Sequence, residues 1–205
     1  MSLVQSINGA LRRVPAWTIY LVGTIYAVWQ FWLALNQIGP YLVEPINVLE
    51  RAYGEAALIM MVSVLVVTPL RKWAGINLMK FRRAIGVTAF FFVLAHFLVF
   101  AILDVQTLER VWTEIVKRPY VTVGMTSFLM LIPLAVTSNN LSLRKMGAAA
   151  WRRMHKLTYP AAILGGLHYL WLVKGFQLEP IIYLAAILGL VATRYVTLQR
   201  RRLMA

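Results

Sequence analysis

The sequence predicts an all-α fold: an integral membrane bundle of six transmembrane helices, with both termini cytoplasmic. Three observations lead there. The first is composition: 60% of the 205 residues are hydrophobic and the mean hydropathy is +0.70, whereas a soluble domain is about 45–50% apolar. The second is that the apolar residues gather into six runs, each near the roughly 20 residues that cross a bilayer core. The third is the side-to-side bias of the cations, which the connections reveal one by one.

The first run, 17–36, follows a short arm carrying Arg12 and Arg13. The second, 52–70, ends in a basic connection with Arg71, Lys72, Lys80, Arg82 and Arg83, from which the third, 84–103, rises. The connection to the fourth run mixes acid and base with Val, Trp and Ile over 104–119 and reads as a short interfacial helix. The fourth, 120–137, leads into a second basic connection with Arg144, Lys145, Arg152, Arg153 and Lys156. The fifth is 157–173. The sixth, 180–196, closes on Arg194, Arg200, Arg201 and Arg202.

With the N-terminus inside, 16 of the 21 Lys and Arg residues fall inside and only Arg51, Arg110, Lys117, Arg118 and Lys174 outside. Cytoplasmic loops carry the excess of cations, which fixes this orientation. All seven acids, Glu44, Glu50, Glu55, Asp104, Glu109, Glu114 and Glu179, fall on the outer side. The net charge of +14 is therefore a topogenic signal and a skirt for anionic membrane lipid, not a nucleic-acid footprint.

No cleavable signal pattern follows the first run. No loop is long enough for a separate soluble domain, so residues 1–205 form a single domain and chemistry outside the bilayer belongs to a partner. The chain has no cysteine, which excludes disulfides, iron–sulfur clusters, c-type haem attachment and cysteine nucleophiles.

Ionisable residues inside a membrane are costly and tend to be functional. His96 lies 13 residues past Arg83, and His168 lies 13 past His155, which sits among Arg152, Arg153 and Lys156. At 1.5 Å per residue both are about 20 Å above the cytoplasmic edge. Two imidazoles at one depth can clamp a haem iron from both sides, and haem b needs only such ligation and an apolar slot. Zinc usually takes four ligands, and no carboxylate or third histidine is expected at that depth. A proton relay would want carboxylates within the bilayer, and a transporter would show broken helices in paired halves. Haem ligation is the strongest reading of the spacing. A non-redox anchor, with the histidines as packing, is the alternative.

His155 lies on the cytoplasmic side. Thirteen or fourteen residues before His96, where a matching inner ligand would stand, the sequence has Arg83 and Arg82. On a straight helix His155 and His168 would point about 140° apart, and Pro160 between them is a candidate bend. His155 is either a ligand of a second, inner haem or an interfacial histidine near headgroups or a cofactor phosphate.

The histidine pattern resembles the ferric reductase-like transmembrane domain, in which two helices each carry two histidines and hold two stacked haems. The stretches "TPLRKW", "RRAIGVTAFFFVLAH", "KRPYVTVGM", "PLAVTS", "WRRMHKLTYPAAILGGLHYLW" and the closing "RY" are similar to the haem-binding membrane subunits of bacterial protein-methionine-sulfoxide reductase systems (the MsrQ or YedZ family). That resemblance implies six helices in the bacterial inner membrane, haem b and a flavin mononucleotide (FMN). It also implies a periplasmic molybdopterin-containing methionine sulfoxide reductase as partner. The quinone pool or a cytosolic flavin reductase would be the electron donor.

Haem propionates need cationic donors at the membrane edge. Arg118, just before the fourth run, is the outer candidate, along with Arg51, Lys117 and Lys174; each also reads as a snorkelling anchor. Arg82 and Arg83 are the inner candidates for a propionate or flavin phosphate, within a basic cluster that otherwise meets lipid. Gly86, Gly165 and Gly166 fit either a flat macrocycle or tight helix contact. Phe90, Phe91, Phe92, Tyr169 and Trp171 flank the histidines, the last two also suiting an interfacial belt.

Overall fold

The computed structural model describes the backbone of residues 3–203 and the side chains of residues 3–194. The side chains of Tyr195, of the closing "RY", and of Arg200, Arg201 and Arg202 lie outside the described residues. The architecture is all-helical. In chain order the helices are α1 (Leu3–Arg13), α2 (Thr18–Leu35), α3 (Pro45–Trp73), α4 (Arg82–Leu98), α5 (Leu108–Lys117), α6 (Pro119–Val136), α7 (Asn140–Met154), α8 (Thr158–Leu172) and α9 (Leu178–Leu203). Four segments are long and apolar enough to cross a membrane: Thr18–Leu35, Pro45–Trp73, Met79–Asp104 and Pro119–Val136.

Several boundaries differ from the sequence reading, each for a local reason. Helix α3 begins at Pro45, seven residues before the apolar run, because proline at the first helical position has no N–H to leave unsatisfied. The third run leaves α-geometry after Leu98 and continues as a π-helix, Val99–Asp104. Its wider turn is visible where Val105 N–H reaches Phe100 O and Gln106 N–H reaches Ala101 O. The connection before the fourth run does hold a helix, α5. There Thr107 caps the start by accepting from Arg110 N–H. Its exposed face carries Leu108 (88%), Trp112 (68%) and Val116 (62%), four residues apart, while Val111 is buried. The sequence reading passed over α1 and α7 because both are rich in polar residues.

Pro160 stands just after a break in helix geometry between the two histidines. It is the third residue of α8, a position where a missing N–H costs nothing. The 3₁₀ turn His155–Leu157 separates His155 from α8. The straight-helix phase therefore does not apply to this pair.

Helix α3 is the hub, packing against α2, α4, α8 and α9; the two most extensive helix pairs are α3 with α4 and α6 with α8. The central cluster gathers Leu58, Met61 and Leu65 of α3, Ala89 of α4, Leu131 of α6, Ala161 and Ala162 of α8, and Ile187 and Val191 of α9. Small residues let backbones approach there. Buried Ser127 of α6 donates to Ala161 O of α8 at 2.8 Å. Tyr53 of α3 donates to Ala27 O of α2 at 2.8 Å.

Pro69 lies inside α3. It cannot donate to Leu65 O, the carbonyl four residues earlier, and in a membrane an orphaned carbonyl must find another donor. Arg194 of α9 supplies it, with Nη2 3.2 Å from Leu65 O. The proline of "TPLRKW" and the arginine of the closing "RY" are thus two halves of one contact.

Arg194→Ala should therefore lower stability in detergent by about 1.5–3 kcal/mol, the range for a hydrogen bond to a charged group. Adding Pro69→Ala restores an N–H for Leu65 O and should recover part of that loss. Thermal unfolding of both single variants and the double variant measures the coupling; strict additivity would show that the proline and the arginine act independently.

Candidate haem site

His96 lies near the end of α4 and His168 near the end of α8. Each is braced by the helix its own helix packs on. His96 Nδ1 is 2.8 Å from Glu50 O of α3. His168 Nδ1 is 2.7 Å from Tyr120 O of α6. A carbonyl only accepts, so in each ring Nδ1 carries the proton and Nε2 holds the free lone pair. Two histidines on different helices thus share one tautomer, set by backbone atoms.

The two rings face each other across the junction of the α3/α4 and α6/α8 pairs. Their centroids are 6.2 Å apart and their planes cross at 76°. A metal between two Nε2 atoms at about 2 Å from each, with about 1 Å from each nitrogen to its ring centre, sets a centroid separation of roughly 6 Å. Both rings are half-buried, with the His96 side chain 23% exposed. Among the described residues neither Nε2 has a hydrogen bond. The donor set and its spacing fit a haem iron. Phe97 and Phe128 stack at 5.2 Å, and Phe90 and Phe128 at 6.0 Å, placing flat apolar surface beside His96.

One expectation needs correcting. The sequence reading kept carboxylates away from this depth, but the outward extension of α3 carries Glu50 onto the helix beside His96. Its Oε1 is 3.9 Å from His96 Nε2, beyond hydrogen-bond range. Among the described residues no group of three or more His, Cys, Asp and Glu side chains gathers to hold a metal by itself.

Arg118, just before α6, is linked to His168 through Tyr120. Its guanidinium donates to Tyr120 Oη at 3.0 Å and pairs with Glu114. The Tyr120 ring is 6.1 Å from His168. A charge is therefore at hand for a propionate, already partly committed to Glu114.

His155 is elsewhere, in the 3₁₀ turn His155–Leu157 that precedes α8. It stacks on Trp151 with centroids 3.6 Å apart, and its Nδ1 is 3.1 Å from Trp151 O. Trp151 Nε1 donates to Thr137 O at 2.9 Å. Burial, and then the charges of Arg82 and Arg83, push the His155 pKa below its ordinary value. Arg82 and Arg83 thus stand near enough to His155 for their charge to disfavour its protonation. Arg83 also donates to Asn140 Oδ1 at 2.8 Å. The wider basic cluster divides: Arg71 joins Arg12 and Lys80 in a separate groove of about 540 Å³ beside α1.

The glycines singled out by sequence serve helix contact. A Cβ on Gly165 would meet Ser127 Oγ at 3.6 Å and Leu58 at 3.7 Å, and one on Gly166 would meet Leu184 at 3.1 Å. Gly86 faces Val64 of α3. Phe92 belongs to the core, Tyr169 pairs with Tyr183, and Phe91 and Trp171 face outward. The sequence reading missed the Glu50 and Tyr120 carbonyls, since a backbone acceptor has no residue identity to read.

Residues 53–166 match the family model of ferric reductase-like transmembrane components. Over 180 residues the chain is 41% identical to the protein-methionine-sulfoxide reductase haem-binding subunit MsrQ of Brucella ovis, covering 87% of this chain and 80% of that protein. The same subunits of Brucella canis and Brucella suis match to the same extent.

The depressed pKa of His155 has a pH consequence. The unfolded chain binds a proton near pH 6.5 and the folded chain binds it only at lower pH. His155 thus adds stability above about pH 6.5 that is lost as pH falls below it. Replacing His155 with Gln should flatten the fall in melting temperature between pH 7.5 and 5; an unchanged slope would remove His155 from the acid response.

Proposed function

The chain belongs to the ferric reductase-like transmembrane family and, within it, to the haem-binding subunits of protein-methionine-sulfoxide reductase systems, and on that premise we propose that it is a haem b-carrying electron-transfer subunit of the bacterial inner membrane. The observation that carries the reading is the pair of imidazoles fixed by Nδ1 to backbone carbonyls with ring centres 6.2 Å apart. The haem, held between them, supplies a site that takes up and gives up one electron.

The chain's own residues do the rest. His96 and His168 would each offer an Nε2 lone pair to the iron, and the carbonyls of Glu50 and Tyr120 hold the rings through Nδ1. Arg118 stands where an outer propionate needs a donor.

Six spans and cytoplasmic termini complete the arrangement. Helices α8 and α9 add the fifth and sixth crossings, supported by the 16-to-5 bias of Lys and Arg. His168 then lies four residues from the outer end of α8, about 6 Å, and α5 lies along the outer membrane surface with Leu108, Trp112 and Val116 in the headgroup layer. The acids gather toward the outer side, Glu50 and Glu55 on α3 and Glu109 and Glu114 on α5, and that side receives a periplasmic molybdopterin-containing catalytic subunit that reduces methionine sulfoxide. At the inner end, Arg82, Arg83 and His155 form the place for a second group, an FMN phosphate or an inner haem. Electrons enter there from the quinone pool or a cytosolic flavin reductase. The outcome is repair of oxidised periplasmic proteins.

His96→Ala and His168→Ala should each remove most of the low-spin haem spectrum while the polypeptide still inserts, since insertion follows apolar length and charge bias. A pyridine haemochrome assay on purified protein reads this directly, and a colourless native protein from haem-replete cells would instead favour a non-redox anchor. His155→Ala should disturb a second, inner cofactor and leave the His96–His168 spectrum in place.

Direction has its own check. Glu109→Gln or Lys117→Gln, in the outer loop, should slow oxidation of dithionite-reduced protein by the catalytic partner plus a methionine sulfoxide, at constant haem content. Arg144→Gln or Lys145→Gln, on the inner side, should not. The opposite pattern would invert the orientation.

A further inference from the structure

The two histidine braces share a feature that a chance contact would not repeat. Each carbonyl that accepts from Nδ1 stands four residues before a glycine: Glu50 before Gly54, in "ERAYG", and Tyr120 before Gly124, in "YVTVG". In an α-helix the carbonyl of residue i already accepts from the N–H of residue i+4. Each of these two carbonyls therefore serves two donors, its own helix and an imidazole arriving from the neighbouring helix. The imidazole must come in beside residue i+4, where any side chain would stand in its way.

The space confirms the register. A Cβ built on Gly54 would lie 3.1 Å from His96 Nδ1 and 3.4 Å from its Cε1. A Cβ on Gly124 would lie 2.8 Å from His168 Nδ1, 3.0 Å from Cε1 and 3.1 Å from Cγ. Gly86 meets nothing closer than 3.7 Å and Gly189 nothing within 4 Å, while Gly23 and Gly166 are crowded, at 2.7 Å and 3.1 Å, by the aliphatic carbons of Thr88 and Leu184; only Gly54 and Gly124, among the described residues, meet a histidine ring. Both glycines also sit in regular helix, where alanine is the better former. Their use here lies in what their missing side chain admits.

We infer that Gly54 and Gly124 are positioning residues for the axial ligands, each opening a gap through which His96 or His168 reaches a helix carbonyl with Nδ1. The inference rests on the reading that these histidines ligate haem. The gap fixes the tautomer, aims Nε2 at the iron, and through the Nδ1–H···O=C bond makes Nε2 a stronger donor. Closing it pushes the ring away from the carbonyl and weakens donation to ferric iron, so the midpoint potential rises and the low-spin fraction falls. The effect is larger at Gly124, where the clash is closer.

The test compares Gly54→Ala, Gly124→Ala, Gly86→Ala and Gly189→Ala in the full-length protein purified in detergent. It reads the haem-to-protein ratio, the low-spin absorption spectrum and the midpoint potential. Gly124→Ala is expected to lose much of the low-spin signal or shift its potential upward, Gly54→Ala to do so less, and the other two to match the native protein. Native spectra and potentials in both Gly54→Ala and Gly124→Ala would overturn the inference. His96→Ala and His168→Ala run alongside: retention of haem there sinks the ligand assignment itself, whereas its loss there with silent glycine variants sinks only the role of the glycines.

If the glycine variants do not accumulate, the bond can be probed without them. His168→Gly protein is supplied with imidazole or with 1-methylimidazole, which keeps the metal-binding nitrogen but has no N–H to donate. Recovery of the low-spin spectrum with imidazole alone supports the inference. Equal recovery with both, or none with imidazole, overturns it.

Discussion

The structure depends on the hydrogen bond from an imidazole Nδ1–H to a backbone carbonyl inside an apolar bundle. A histidine in such surroundings has two nitrogens and no water to satisfy them. Bonding one to a carbonyl leaves the other with a directed lone pair, which is what a metal needs. Because the acceptor is main chain, the geometry is tied to helix position and not to a rotatable side chain. Glu50 O and Tyr120 O are rigid to the extent that α3 and α6 are rigid.

That demand organises the helices around it. His96 must sit against α3 and His168 against α6, and α3/α4 and α6/α8 are the most extensive packing pairs. The two pairs then have to meet with the rings opposed, which the central cluster of Leu58, Met61, Leu131, Ala161 and Ile187 achieves. The buried Ser127–Ala161 bond fixes α6 against α8 just below. Arg194 answers the same need at the other end of α3, filling the carbonyl that Pro69 frees. Both cases obey one rule of the membrane interior: each polar backbone group finds a partner within the protein.

The two ends of the bundle differ in chemistry. At the end that holds His168, Arg118, Glu114 and Tyr120 form a mixed-charge group. At the opposite end His155 is stacked on Trp151, with its protonation disfavoured by burial and by the charges of Arg82 and Arg83.

The sequence by itself determined the helical class, the apolar segments, the charge asymmetry and the pairing of His96 with His168. These follow from composition and from counting residues at a fixed rise, quantities carried by the chain in one dimension. The family resemblance was also legible, because it lies in residue identities. What tertiary structure decided was everything set by contact between distant segments. The Glu50 and Tyr120 carbonyls carry no residue signature, and Gly54 and Gly124 look like any small residue in a helix until a ring from another helix is seen beside them. The start of α3 at Pro45 moved Glu50 to the level of His96, and the 3₁₀ turn at His155 cancelled a phase argument that assumed one straight helix. Helix register and the approach of one backbone to another are three-dimensional facts, and the spacing of residues along a chain constrains them without fixing them.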